Sequence, residues 1–170
     1  SHLASLVDYS RLREEAEGRA RNLGLIHEVV QQVIGLTDVH QVAEISAELL
    51  ARYFAYELAA VFIADAQGVL TIGGFGGTSQ NVVRRAMKSF EYPISGGITG
   101  HVFETGESLV VNDVSQDSRY RSLHGWQAGS EMCVAIRDGA KVLGIIDVES
   151  RSSNAFTHND FMALESLAGI

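Results

Sequence analysis

Two apolar strands separated by a short turn, near the carboxyl end, limit most strongly what this chain can fold into. Residues 130–136 and 141–149 flank Arg137-Asp138-Gly139, a sequence typical of a β-hairpin. Their register matters, because a slip of one residue moves every side chain to the opposite face of the sheet. A three-residue loop with Gly139 in the left-handed conformation predicts one wholly apolar face. That face consists of Met132, Val134, Ile136, Val142, Gly144, Ile146 and Val148.

The opposite face of this hairpin mixes apolar residues with acids. It carries Glu131, Cys133, Ala135, Leu143, Ile145, Asp147 and Glu149. Carboxylates pair best with positively charged donors, so the three acids are candidates to receive an amine or another cationic group. The alternative is that Glu131 and Glu149 lie in solvent near the strand ends, while Asp147 hydrogen-bonds loop backbone. We expect helices to cover the apolar face.

A helix and a second pair of strands are predicted before this hairpin. Asp38 is placed to cap a helix, with Gln41 three residues on at capping-box spacing. Residues 58–64 and 69–75 have the composition of two short strands joined by a turn. The predicted buried stripe of the helix is Val42, Ile45, Leu49 and Tyr53.

The segments that follow these strands differ in character. Glycines at 73, 74, 76 and 77 are expected to free the backbone, and residues 79–89 have a polar, helical pattern. Thr157 and Asp160 stand at capping-box spacing and predict the start of a last helix. Helices, antiparallel strands and a closing helix in this order predict an α+β fold.

The first 34 residues predict one long helix of two unlike halves. Its first half, residues 3–22, is highly charged, whereas residues from 23 onward carry apolar side chains at helical spacing. We therefore divide the chain into a helical extension, 3–22, and a domain, 23–170. A protruding helix with a thin apolar stripe is typical of pairing with a second copy of the same chain, which predicts a homodimer. The alternative is a solvated helix without a partner.

Composition excludes several classes of function. The chain has 170 residues, enough for one domain with a sizeable core, and a net charge of −8, which disfavours a nucleic-acid partner. The single cysteine excludes an internal disulfide. No apolar run has the length of a membrane span and no leader sequence is visible, so we expect a cytoplasmic protein without a membrane partner. The last helix stops in mid-pattern, as if excised from a longer protein.

Several segments, in their order and spacing, resemble the GAF domain family. The Gly-rich start of a short helix, Gly96 to Glu107, is similar to one GAF segment, and Val110 to Val114 with Asp117 and Arg119-Tyr120 is similar to the strand and loop that follow. The hairpin segments Ser130-Glu131 and Gly144 to Ser150, with Phe156 to Asp160, complete the pattern. The resemblance covers residues from about 23 to 168.

This resemblance implies an antiparallel sheet with helices on one face and a ligand pocket on the other. It also implies a covalently linked output domain, because such modules usually precede a kinase, cyclase, phosphodiesterase or transcription regulator. The candidate ligand-binding residues are Glu131, Asp147, Glu149, Asp113, Tyr120, Trp126, Phe103 and Cys133.

The roles of four of these residues stay open between binding and structure. Tyr120 and Trp126 either close the pocket as an aromatic lid or cover the sheet edge. Asp113 is typical of a cap for the loop after its strand. Phe103 is either a core residue or a ligand contact.

Similar proteins reduce methionine sulfoxide, attach a bilin or bind a cyclic nucleotide, but this chain lacks residues that each of these activities needs. Reductases of free methionine sulfoxide need catalytic and resolving thiols, whereas Cys133 is alone and lies within a strand, so we expect no enzyme. A bilin attachment site has histidine after cysteine, but Val134 follows Cys133. Of the cyclic-nucleotide pattern only Phe156 and Asp160 fit, and both have structural roles at the start of the last helix.

The histidines show no metal-like spacing, and no cofactor is expected. His101 and His124 nevertheless remain open as axial haem ligands, since both are near the expected pocket. The sequence thus predicts a regulatory domain that senses an unknown small molecule. The alternative is a ligand-free dimerisation module.

Overall fold

The fold is a five-stranded antiparallel sheet between two unequal layers. The computed structural model describes residues 2–33, 35–79, 81, 84, 96–122 and 125–169, so most of the helix predicted over 79–89 lies outside the described residues. The described elements are α1 (His2–Val33), α2 (Val39–Phe54), β1 (Leu58–Ala64), β2 (Leu70–Gly76), α3 (Gly97–Thr105), β3 (Leu109–Val111), a 3-10 turn (Val114–Gln116), β4 (Ser130–Asp138), β5 (Lys141–Ser150) and α4 (His158–Ala168). The sheet order is β2-β1-β5-β4-β3, which confirms the α+β prediction.

The β4–β5 hairpin has the predicted register over most of its length. Met132 lies opposite Val148, and Cys133 lies opposite Asp147. An irregularity between Ile136 and Arg137 then shifts the pairing by one residue. The turn is therefore the two-residue Gly139-Ala140, although Gly139 does adopt the predicted left-handed conformation, with φ 59°.

This shift corrects the predicted position of Val142. The two faces are exchanged beyond the bulge, because one extra residue reverses the side-chain alternation. Val142 accordingly packs against the mixed face rather than the apolar one. The predicted separation of faces holds nearer the middle of the sheet, where Met132, Val134, Ile146 and Val148 are all buried in one apolar cluster.

Each face of the sheet has its own core. Helices α1, α2 and α4 cover the apolar face, and the main core forms there around Leu25, Leu50 and Leu164. On the other face a second apolar cluster includes Ile98 and Val102 of α3. The sheet therefore separates a thick helical layer from a thinner layer of α3 and loops.

Helix α2 lies unusually close to β2, and this closeness corrects two expectations. Leu49 of the predicted stripe is buried, whereas Ile45 and Tyr53 are only partly buried, and the small residues Ala43 and Ala47 take buried positions that were not predicted. A Cβ added to Gly74 would lie 2.4 Å from the Cα of Glu44. The glycines of β2 therefore permit close packing against α2 instead of freeing the backbone.

Both predicted helix caps are present. The Asp38 side chain accepts a hydrogen bond from the His40 amide, without the return bond from Gln41 that a capping box requires, and Thr157 and Asp160 form a reciprocal capping box. Helix α1 spans the predicted length, and its large apolar side chains Leu6, Val7, Tyr9, Leu12 and Leu23 are exposed. Among the described helices, none is both long and apolar enough to cross a membrane.

Candidate functional site

Four polar side chains meet on the thinly covered face of the sheet. Glu131 and Cys133 of β4 lie directly opposite Glu149 and Asp147 of β5, respectively. The three acids are only 3% (Glu131), 4% (Asp147) and 6% (Glu149) exposed. The alternative that Glu131 and Glu149 lie in solvent is therefore wrong. We call these four residues the acidic cluster.

The cysteine thiol lies between two of the carboxylates. Its Sγ is 3.2 Å from Oε1 of Glu131 and 3.2 Å from Oδ1 of Asp147. A thiol carries one proton, so it donates to only one of these two oxygens. A buried carboxylate without a donor is strongly destabilising, and the cluster therefore needs further protons or a cation.

Burial and mutual repulsion raise the pKa of every member of the cluster. The pKa of Glu131 rises from 4.5 to about 8, first through burial and then through the charge of Glu149. The pKa of Glu149 also rises to about 8, through burial and the charge of Asp147. Burial likewise raises the pKa of Asp147 and of the Cys133 thiol. Near neutral pH the empty cluster thus retains protons.

The loop before β4 supplies a wall of the site. Trp126 is buried and its indole N–H donates a hydrogen bond to Oε2 of Glu149. The guanidinium of Arg151 lies over the indole ring, 4.5 Å from its centroid. Tyr120 accepts a hydrogen bond from the Ala128 amide at 2.8 Å. Trp126 is therefore part of the acidic site, and the Tyr120 hydroxyl holds the backbone of the loop before β4 in place.

Helix α3 approaches the cluster from the other direction. Thr99 Oγ1 is 3.8 Å from the Sγ of Cys133. Phe103 is partly buried against the apolar cluster of this face, which favours its core role. Asp113 caps the 3-10 turn by accepting from the Ser115 amide at 3.0 Å, as its position predicted.

An ion pair beside the cluster was not predicted as part of the site. Arg119 donates two side-chain hydrogen bonds to Asp117, at 2.9 and 2.6 Å, and these lower the pKa of Asp117 to about 2. The pKa of Arg119 is raised, first through its hydrogen bonds to Asp117 and least through the charge of Glu131. Arg119 is thus a nearby cation that is already paired. Only the Asp-x-Arg spacing in the loop could have indicated this pair.

The same donor atoms bear on metal and haem binding. One ligand atom each from Glu131, Cys133 and Asp147 lies within 4.8 Å of the other two, and a thiolate with carboxylates is a donor set that zinc accepts. His101 is half-buried. His124 lies outside the described residues. Neither haem candidate is tested by these observations.

Comparison with known proteins places the chain among one family of modules. The model of that family, described as GAF domain, matches residues 38–170. A Caenorhabditis elegans protein described as "Probable 3',5'-cyclic phosphodiesterase pde-5" is 28% identical in an alignment of 85 residues that covers 48% of this chain and 12% of that protein. The chain therefore spans a small part of that relative.

Similar solved structures include two modules of different description. The GAF domain from a phosphoenolpyruvate-protein phosphotransferase of Coxiella burnetii has 17% identity and a TM-score of 0.73, covering 88% of this chain and 89% of that one. The free methionine-R-sulfoxide reductase from Neisseria meningitidis, in complex with its substrate, has 19% identity and a TM-score of 0.70, covering 86% and 83%. At such identities the likeness shows the fold alone.

The raised pKa values predict how stability depends on pH. Between about pH 4.5 and about pH 8, the folded state holds more protons on Glu131 and Glu149 than the unfolded state does. The free energy of unfolding should therefore fall as pH rises through this window. Glu131→Gln removes one such group and should stabilise the protein by about 1–3 kcal/mol at pH 8.5, but little at pH 4.5.

Urea unfolding followed by the fluorescence of Trp126, the single tryptophan, measures both effects. Glu104→Gln, at an exposed position on α3, is the matched control and should follow the wild-type curve. A wild-type stability that stays constant or increases from pH 5 to pH 8 would contradict the raised pKa values.

Proposed function

This chain belongs to the GAF domain family, and from that premise we propose that it senses a small molecule carrying a protonated amine, which binds at the acidic cluster. One observation carries the proposal. Three carboxylates that are at least 94% buried converge from adjacent strands, and the nearby cation Arg119 is paired with Asp117. A cationic ligand would replace the protons that the empty cluster retains.

An ammonium group suits this arrangement of acceptors. It presents three N–H donors, and carboxylates form their strongest hydrogen bonds with charged donors. Glu131 and Asp147 both contact the Cys133 thiol, which has only one proton to donate. Trp126 adds an aromatic edge whose N–H holds Glu149 in place. A bound amine would therefore meet positioned acceptors rather than mobile surface acids.

The surroundings also restrict the rest of the ligand. Ile98, Val102 and Ile145 are buried on the same face of the sheet as the acids. We therefore infer a ligand with a short apolar body next to its amine. A cyclic nucleotide carries a negative phosphate, which ionised carboxylates of the acidic cluster would repel, and this disfavours such a ligand here.

We propose binding without catalysis. Cys133 is the single cysteine and is fully buried, and its raised pKa keeps the nucleophilic thiolate rare. A sulfoxide reductase also needs a means of reducing its oxidised cysteine. The alternative function remains a ligand-free structural module, in which the cluster holds its own protons permanently.

The expected output is a change in the terminal helices. Exposed apolar side chains on α1, including Tyr9, Leu12 and Leu23, support pairing with a second copy. The loop carrying Tyr120 and Trp126 contacts the acidic site and leads into β4. We propose that occupancy shifts this loop and the paired helices, and that a linked output domain of a cytoplasmic signalling protein responds.

The amine hypothesis predicts a binding reaction that releases protons. n-Butylamine should bind, with butyrate as an anion of equal size that should not. Affinity for the amine should rise from pH 6 to pH 8 as the carboxylates ionise. Isothermal titration calorimetry in phosphate and in HEPES, two buffers without a primary amine and with different heats of ionisation, measures the affinity and the protons released. Glu131→Gln and Asp147→Asn should each weaken binding at least about tenfold, because each removes a charged acceptor.

Glu104→Gln is the control here too and should bind butylamine as the wild type does. Failure of a panel of primary amines to bind, or equal binding by Glu131→Gln, would contradict the proposal. A thermal shift with zinc that Cys133→Ser abolishes, in the absence of amine binding, would replace the amine with a metal ion.

The relay predicts a ligand-dependent distance between two copies of α1. A spin label at Ser10→Cys is suitable because Ser10 is exposed and Cys133 is buried. Double electron–electron resonance should give one main distance, which shifts when butylamine saturates the acidic site. Leu12→Glu should abolish the distance by disrupting the apolar contact. A monomer at micromolar concentration, or identical distances with and without the amine, would contradict the relay.

A further inference from the structure

A cavity of about 470 Å³ lies on the other side of the sheet from the acidic cluster. Its walls come from α1, α2 and α4 in the helical layer and from β1, β4 and β5 in the sheet. Val30, Val42 and Leu167 line it from the helices, and Ile63 and Ile136 line it from the strands. It is therefore a recess between two layers of the domain rather than a dent on one element.

The lining determines what the cavity accepts. Among the described residues that line it, none has a charged side chain and Ser46 alone has a polar one. Water is a poor filling for such a space, because a buried water needs two or more polar partners. Protein interiors are otherwise close-packed, and a void of this size forfeits the contacts of all its lining atoms. An apolar occupant would restore them.

We propose that this cavity is a second binding site, which takes a neutral small molecule with a hydrocarbon body. An alkyl chain of medium length with a terminal hydroxyl or carbonyl group fits the single hydroxyl of Ser46. The volume is within the range of small-molecule sites, which are mostly apolar with few polar groups. The absence of charge in the lining complements a neutral ligand and disfavours the amines expected at the acidic cluster.

Two observations favour a small molecule over a flat protein surface. The cavity has depth, since its floor is formed by buried sheet residues such as Val61 and Ile146. Two of its lining residues, Val39 and Leu143, are 49% and 39% exposed, which gives an apolar entrance. An occupant that enters between the layers would contact α1, α2 and α4 together. This site does not depend on the function proposed for the acidic cluster.

Binding of the neutral fluorescent probe N-phenyl-1-naphthylamine tests the proposal. The full chain should bind one probe per copy with saturation, and n-octanol or n-decanol should displace it more strongly than n-butanol. Ser46→Leu fills part of the cavity and removes its hydroxyl, so it should weaken probe binding at least tenfold. Ser166→Leu makes the same change at an exposed position of α4 and should leave binding unchanged.

The filling variants are informative only if they remain folded. The melting temperature of Ser46→Leu must equal or exceed that of the wild type, so that lost binding is not a loss of folding. Ala64→Phe, a second filling substitution at the end of β1, should act in the same way. Absence of saturable binding by the wild type, or unchanged binding by both filled variants, overturns the proposal.

Two further measurements separate binding in this cavity from binding at the acidic cluster and from dimer formation. Glu131→Gln should bind the probe normally, so failure of the amine hypothesis would leave this result untouched. If a second copy covers the cavity instead, Ser46→Leu will dissociate a dimer in analytical ultracentrifugation and the wild type will exclude the probe.

Discussion

The cross-strand pairing of Cys133 with Asp147 and of Glu131 with Glu149 is the constraint on which the rest of the site depends. Because side chains alternate along a strand, the register that buries Met132 and Val148 under the helices must also turn the acids toward the opposite face. Trp126 then covers Glu149, and α3 brings Thr99 toward the thiol. The register that forms the main core therefore also buries three carboxylates, which is electrostatically unfavourable.

Burying these carboxylates destabilises the folded domain, and a cationic ligand would relieve this destabilisation. The Cys133 thiol can donate its proton to only one of the two acids that it contacts, so the buried cluster retains further protons, and the raised pKa values of Glu131 and Glu149 reflect this. A ligand that supplies positive charge makes those protons unnecessary, so binding and proton release are linked. The apolar cavity on the other face has no such linkage, since its lining carries no charge. The two faces thus offer sites of opposite chemistry on one sheet.

Local patterns in the sequence predicted the elements, while contacts between distant segments decided the details. The two faces of the hairpin follow from alternation, and the caps at Asp38 and Thr157 follow from residue type. The bulge after Ile136 carries no turn residue that would indicate it. Burial of Glu131 and Glu149 depends on the cover supplied by the Trp126 loop and α3, which no pattern within β4 or β5 reveals. The glycines of β2 were misinterpreted for the same reason, because their purpose is apparent only from the approach of α2.

Without a bound cation, Glu131 and Glu149 hold protons at neutral pH, and a carbon-13 NMR titration of the side-chain carboxyl groups measures this protonation. Selective labelling with assignment by Glu131→Gln and Glu149→Gln would follow each resonance from pH 4 to pH 10 without ligand. Both glutamates should titrate with midpoints near pH 8, well above the ordinary value of 4.5. Midpoints between pH 4 and pH 5 for both would show that the acids are ionised and solvated at neutral pH, which would contradict a buried, protonated cluster.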